Sequence, residues 1–465
     1  MSHSSPPRRS FPKIIGAALA IIFLLVLGAL RPVDYTPYFE TEYYRTTRAR
    51  LERNVTHAQG VLFAGFGRAA LTPQLQSSDA ALGHFAKLPM AGYGKRQGRA
   101  AEGVHDSLFA SAIALRVGTQ EVVMVSLDAL IVSRAMAEGV AAKIDSALGL
   151  KREQIFFGAT HTHSGLGAWG EGVLAELFAG EYDPRALQWI ITQTVSAIVR
   201  AHADLSPANF AHGGFAAPRF VLNRLVGEKG GVDEQFAFLV VRQDDGDQII
   251  LGAYAAHATV LTFNNMQLSS DYCGYWRRAL EKQHRTAAVF FAGGVGSHGP
   301  RAEGAEFEAA RFIGAGLADS LLARLPRLSF QSQATLGYLG IQVDLPELHM
   351  RVTDNWRFAP WLAKQLVYES DSYLHAFALN DLLWLGAPCD LSGEISATLK
   401  NFARRHNKHA ICTSFNGSYV GYVIPGRYYH YDSYESRRMS FFGPNMGDYF
   451  EELLQRMIVV MAEPR

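Results

Sequence analysis

Two histidines one residue apart close an apolar run: Ile155–Ala159 leads into Thr160, His161, Thr162, His163, Ser164 and Gly165. If the strand continues through them, residues two apart share a face and both imidazoles point the same way at its end. That arrangement suits a metal ligand beside a second group that handles a substrate. A loop with hydrogen-bonded histidines is the plainer reading; the buried run behind and the glycine-rich Ser164–Ala168 ahead favour chemistry. His257 ends a second apolar run that starts at Ile249, where a lone histidine also serves as a satisfied core residue. Glu394 falls in the first turn of a helix after Ser392 and Gly393, where a carboxylate offsets the macrodipole. Tyr422, in Ser418–Val423, reads on its own as packing. Taken one at a time, these three define nothing.

The elements that must position them alternate along the chain. Apolar, β-branched runs predict strands at 61–66, 109–117, 121–127, 154–159, 237–242, 248–255, 287–292, 335–344, 382–387 and 409–415. Helical periodicity predicts helices at 132–147, 185–203, 274–284, 304–324, 395–405 and 447–461, with Ser133 and Ser392 as caps. Strands mixed with helices and no evident linker imply one large α/β domain over 61–465, of mixed sheets with flanking helices.

Ahead of it, residues 1–13 are rich in Ser, Pro and Arg and read as a disordered basic N-terminus. The uninterrupted apolar run from Ile14 to Leu30, flanked by Arg8, Arg9, Lys13 and Arg31, predicts a transmembrane signal anchor. A poor cleavage site after it favours an uncleaved anchor over a removed signal. The basic flank stays in the cytoplasm, which puts the following domain on the extracytoplasmic side of a single-pass protein. Residues 31–60, with Tyr, Arg and Glu, read as a juxtamembrane stalk or polar helix. With 44 basic and 43 acidic residues, the chain offers nothing to nucleic acid or a polyanion. Cys273, Cys389 and Cys412 lack zinc-thiolate spacing; one disulfide with a spare thiol and three free thiols both fit.

The segments Ala91–Lys95, Gly158–Gly165, Ala256–His257, Ser270–Asp271, Ser392–Glu394 and Tyr419–Tyr422 come in the order seen in neutral (non-lysosomal) ceramidases. Arg224 falls 63 positions after His161, and Tyr434 falls 12 after Tyr422, with Phe442-Gly443-Pro444 beyond. Over 63–444 the chain therefore resembles that family. The resemblance implies one Zn²⁺ per chain held by His161, His257, Glu394 and Tyr422, with His163, Arg224 and Tyr434 around the reaction centre. It also implies a zinc-activated water attacking the N-acyl amide of ceramide or a related lipid, or the reverse synthesis. Two departures stand out. Where the family has a functionally important serine, this chain has Gly299, beside Ser297 and His298, so the substrate-binding loop 297–299 must work without it. The chain also ends at Arg465, without the immunoglobulin-like C-terminal domain usual in ceramidases. An amidase for a different envelope amide, and a non-catalytic zinc-stabilised lipid-binding homologue, are the alternatives.

Overall fold

All ten strands expected from the sequence pair into one mixed sheet, and two unexpected strands complete its twelve. The computed structural model describes residues 15–16, 18–19, 28–52, 55–367 and 371–462. Ser206–Ala216 contains a proline and two glycines and has no clear alternation. It is a strand because it bonds to Gln235–Gln243 over its length and to His57–Ala70 on its other edge. Asp371–Leu379 likewise fills the gap between Gln333–Asp344 and Leu382–Gly386. At both places pairing with neighbours overrides propensity.

Within this largely antiparallel sheet three pairs run parallel: Gln120–Leu127 with Ile155–Ala159, Gln248–Tyr254 with Thr286–Ala292, and Leu382–Gly386 with His409–Thr413. Parallel strands need covering on both faces, and these are buried almost throughout. Leu62, Ile113, Phe156, Leu251, Phe291 and Trp384 pack together in one buried cluster of the sheet's strand residues. Helices Arg134–Leu148 and Pro184–Ala203 cover one region of its outer face, Asp271–Leu280 and Glu306–Leu322 a second, and Gly393–Arg405 with Met446–Ala462 a third. Ser133 Oγ accepts from Met136 N at 3.3 Å and Ser392 Oγ from Glu394 N at 3.2 Å, so both predicted caps form. Each is worth about 1 kcal/mol.

Residues read as a stalk are instead docked on the domain. Helix Glu42–Leu51 buries Tyr44, Thr47 and Leu51. Tyr38 and Tyr44 both donate to Glu452 of the C-terminal helix, at 2.6 and 2.7 Å. A polar helix can pack this way because its tyrosines bury their rings while their hydroxyls find a carboxylate. Most of the predicted anchor, 14–30, lies outside the described residues. Among those described, no helix is long and apolar enough to cross a membrane. Cys273, Cys389 and Cys412 are all free and buried.

Candidate metal centre and its cavity

His161 follows Ile155–Ala159, His257 follows Gln248–Tyr254, and Asp390 follows Leu382–Gly386, so the site assembles past the carboxyl ends of parallel strands. Crevices in open α/β sheets lie at such ends. The two imidazoles of the His-x-His pair do converge, though not by strand alternation. Pairing stops at Ala159, and His161 has φ of 60°, a left-handed conformation rare for a residue with a Cβ. This bend swings its ring until it meets that of His163 edge-on, centroids 4.8 Å apart. Gly92 permits the approach: at φ 117°, a Cβ there would lie 2.6 Å from His163 Cα.

The three histidines form a buried group whose ligand atoms lie within 4.8 Å of one another. His161 Nδ1–H donates to Leu130 O at 2.5 Å, and His257 Nδ1–H to Val295 O at 3.3 Å. Both Nε2 atoms are therefore bare, yet they face each other at 2.8 Å. His163 Nε2 lies 3.0 Å from His257 Nε2 and 3.3 Å from His161 Nε2. Burial, followed by the charge of neighbouring imidazoles and Arg224, holds His163 well below the usual histidine range. Burial and then Arg224 do the same for His257. Ring nitrogens brought this close in a buried group are placed to share a cation by coordination. The carbonyl bonds at Nδ1 are the usual support of a metal-binding imidazole.

The carboxylate beside this group of three histidines is that of Asp390, while Glu394 faces other partners. Asp390 Oδ1 lies 3.3 Å from His161 Nε2 and 3.9 Å from His257 Nδ1, buried and without a hydrogen bond. Its Oδ2 accepts from Tyr419 OH at 2.8 Å. A buried acceptor oxygen without a hydrogen bond, beside a ring nitrogen, suits a cation between them. Asp390 faces this way because Asp390–Leu391 runs parallel to Tyr422–Val423, with Asp390 opposite Tyr422. Glu394 begins the next helix, and its carboxylate is taken up by Asn223 Nδ2 at 3.0 Å, Tyr428 OH at 3.2 Å and the guanidinium of Arg427. Tyr422 is at the site. Burial first and the Asp390 charge second hold its phenol well above the ordinary value, so it is protonated.

His161, His163, Asp390, Tyr422 and Tyr434 line one end of a cavity of about 460 Å³. Ile131, Trp169, Leu174, Phe178, Leu366 and Val367 give the rest an apolar wall, interrupted by the charged Arg134, Glu138, Glu171 and Lys364. Tyr434, 43% exposed, meets Tyr422 edge-on, centroids 5.9 Å apart, and its partial burial and then the Asp390 charge raise its phenol above the ordinary value. Arg224 is not in the cavity lining; it donates from Nη2 to Tyr422 OH at 3.1 Å, while its Nε lies 2.9 Å from Glu435. It acts on the centre through this bond to Tyr422 and through its charge, which lowers the pKa of His163 and His257.

The loop expected to touch substrate is turned inward. Asp233 N–H donates to His298 Nε2 at 2.8 Å, which fixes the proton on Nδ1, 2.8 Å from Ser297 Oγ. Ser297 Oγ also accepts from Gly393 N at 3.0 Å and meets Ser392 Oγ at 2.9 Å, so its hydroxyl is fully engaged. Gly299 pairs with Leu222, beside Arg224. These residues brace Arg224 and the start of helix Gly393–Arg405, and none lines the cavity.

Sequence reasoning missed Asp390 and four supporting residues. Phe415 stacks on His161 at 4.1 Å and 17°. Tyr93 lies 4.7 Å from the His163 ring. Buried Arg96 donates to His163 O at 2.5 Å and Asn265 O at 2.9 Å, and Tyr419 holds Asp390. Tyr93 and Arg96, in and beside the glycine-rich Ala91–Lys95, and Tyr419, at the head of Tyr419–Tyr422, carried a local signal.

The family profile described as neutral/alkaline non-lysosomal ceramidase, N-terminal, matches residues 77–298. A curated neutral ceramidase of Pseudomonas aeruginosa is 25% identical over 257 residues, 51% of this chain and 36% of that protein. One of Mycobacterium tuberculosis is 24% identical over 220 residues, 43% of this chain and 34% of its own length. The chain thus spans about a third of the curated relatives it matches. Its fold is similar to the crystal structure of the P. aeruginosa neutral ceramidase, with TM-score 0.73 at 19% identity, covering 86% of this chain and 74% of that one. A ceramidase complexed with C2 gives TM-score 0.72 at 19% identity, covering 86% and 75%.

Proposed function

We propose, from the match of the neutral/alkaline non-lysosomal ceramidase profile to residues 77–298, that the chain is a member of that family and a zinc-dependent amidase acting on the N-acyl bond of ceramide or a related N-acyl lipid. The observation that carries this reading is the pair of bare Nε2 atoms 2.8 Å apart, with the unpartnered Asp390 oxygen beside them, at one end of an apolar cavity. His161, His257 and Asp390 would hold the metal, with Tyr422 as a weak fourth ligand, a donor set that suits Zn²⁺. Bound there, a zinc ion supplies Lewis acidity, which makes water a nucleophile at neutral pH.

The chain's own groups do the rest. His163, kept neutral by burial, is placed to take a proton at Nε2 from the attacking water and to return it to the leaving nitrogen. Tyr434, protonated and at the same end of the cavity, donates to the oxygen that gains charge as the amide carbon becomes tetrahedral. Arg224 fixes the Tyr422 hydroxyl. The apolar wall excludes water and accepts an acyl chain. The same groups serve the reverse condensation where fatty acid is concentrated. With glycine at 299, no nucleophilic serine operates at that position, and water attacks.

A second reading, an amidase for a different envelope amide, is favoured by one observation: Ser297, His298 and Gly299 face inward and give a sphingoid head group no contact. On either reading the apolar 14–30 stretch anchors the chain, N-terminus in the cytoplasm and catalytic domain outside. Purified protein is expected to hold one zinc per chain and to release fatty acid from ceramide in a chelator-sensitive reaction that His161→Ala abolishes. Turnover confined to non-lipid amides would leave the second reading. Protein that purifies without zinc and cannot be loaded with it would defeat both.

A further inference from the structure

Exposed apolar side chains lie beside residues that line the cavity. Helix Val173–Ala179 gives Leu174 and Phe178 to its wall and leaves Val173 61% and Leu177 54% exposed. Leu366 and Val367 also line the cavity, and Trp361, just before them, is 60% exposed. This second rim is where the apolar N-terminal stretch arrives. Trp361 Nε1 donates to Gly28 O at 3.3 Å, and Ala359 N donates to Ala29 O at 2.7 Å. Leu30–Pro32 then pairs antiparallel with Trp356–Phe358. The stretch Ile14–Leu30 carries no charged residue over 17 positions, and its described members Ile15 and Leu19 are 54% and 61% exposed.

We propose that the rim formed by Val173, Leu177 and Trp361 docks on a lipid bilayer, so that the cavity opens onto the membrane and an acyl chain enters it directly from the lipid phase. This rests on the reading of the substrate as an N-acyl lipid. A charge-free stretch of that length is at the short end of what spans the hydrocarbon of a bilayer. Its last residues are bonded to Trp361, so the rim is held within about one helical turn of the point where the stretch ends. Tryptophan suits the membrane interface at that depth. Uncovered apolar residues on both sides of the mouth extend the same contact. A protein partner or a second copy could cover the rim, but neither accounts for the apolar stretch stapled to it.

Full-length protein reconstituted into phosphatidylcholine vesicles, some containing tail-brominated phosphatidylcholine, tests the orientation. Of the six tryptophans, Trp361 is expected to contribute a bromolipid-sensitive signal that Trp361→Phe removes. In parallel, the double variant Val173→Glu with Leu177→Glu is expected to lower hydrolysis of vesicle-embedded ceramide about tenfold. Hydrolysis of a water-soluble short-chain N-acyl amine should be unchanged. Equal quenching in the wild type and Trp361→Phe, or an equal loss on both substrates, would overturn the proposal. If neither substrate is hydrolysed by the wild type, the amidase reading fails, and the quenching difference alone decides the docking.

Discussion

Two carboxylates four residues apart, Asp390 and Glu394, stand in different surroundings, and on the proposed reading that difference favours Asp390 as the ligand. Asp390 presents an unpartnered buried oxygen to His161, whereas Glu394 is satisfied by Asn223, Tyr428 and Arg427. Asp390→Asn is therefore expected to weaken zinc binding by more than about 100-fold, beyond what loss of an outer-shell partner costs. Glu394→Gln should keep one zinc per chain and lose about 1–3 kcal/mol of stability through its broken hydrogen bonds. Metal analysis of the two dialysed proteins, with urea unfolding of each, checks both; a zinc-free Glu394→Gln beside a zinc-loaded Asp390→Asn would reverse the assignment. Tyr419 positions Asp390 through Oδ2. Tyr419→Phe should cost about 10- to 100-fold in zinc affinity with the fold intact, read by competition with a chromogenic chelator. The His161/His163 pair was legible because its spacing is local. Asp390 was not, because its direction depends on the pairing of 390–391 with 422–423, which nothing in either segment announces.

At the scale of elements, the long apolar strands and periodic helices could be read directly, since each carries its own burial pattern. Ser206–Ala216 and Asp371–Leu379 could not, being strands only because both their edges are occupied. The inward-turned 297–299 loop was illegible for a similar reason. Its polar side chains answer to Asp233, 65 residues before His298, and to Ser392 and Gly393, 95 and 96 residues after Ser297. Asp233 in turn is held by Lys400 Nζ at 2.8 and 2.7 Å and by Ser396 Oγ at 2.7 Å. This buried network clamps helix Gly393–Arg405 against the strand that carries His298. Lys400→Met leaves the Asp233 carboxylate buried without its cation, which costs about 3–5 kcal/mol. Denaturant unfolding should show that loss, and a shift below about 1 kcal/mol would mean that Asp233 finds water or another partner.

Buried neutral imidazoles make the stability of the whole molecule depend on acid, and His349 is the one placed to report it away from the metal centre. It joins three distant parts of the chain: Nε2 accepts from Asp34 N at 3.2 Å, Nδ1–H donates to Glu347 O at 2.7 Å, and its own N donates to Phe441 O at 2.6 Å. Protonating Nε2 would break the first bond and place a cation beside Arg357. Burial, reinforced by Arg357 and opposed by Asp34 and Glu347, lowers its pKa from 6.5 to about 4. Because the unfolded chain takes the proton first, the contribution is complete above pH 6.5 and lost as pH falls towards 4. It amounts to about 3 kcal/mol. His298, lowered by burial to about 4, adds a similar slope over the same window. Urea midpoints of the chelated protein at several pH values between 7.5 and 4 should therefore fall steeply below about 6.5. Chelation removes the separate effect of metal release. His349→Gln should be less stable at neutral pH and show a flatter acid limb. Parallel limbs in the two proteins would mean that His349 keeps an ordinary pKa, or that protonation opens its contacts without weakening the fold.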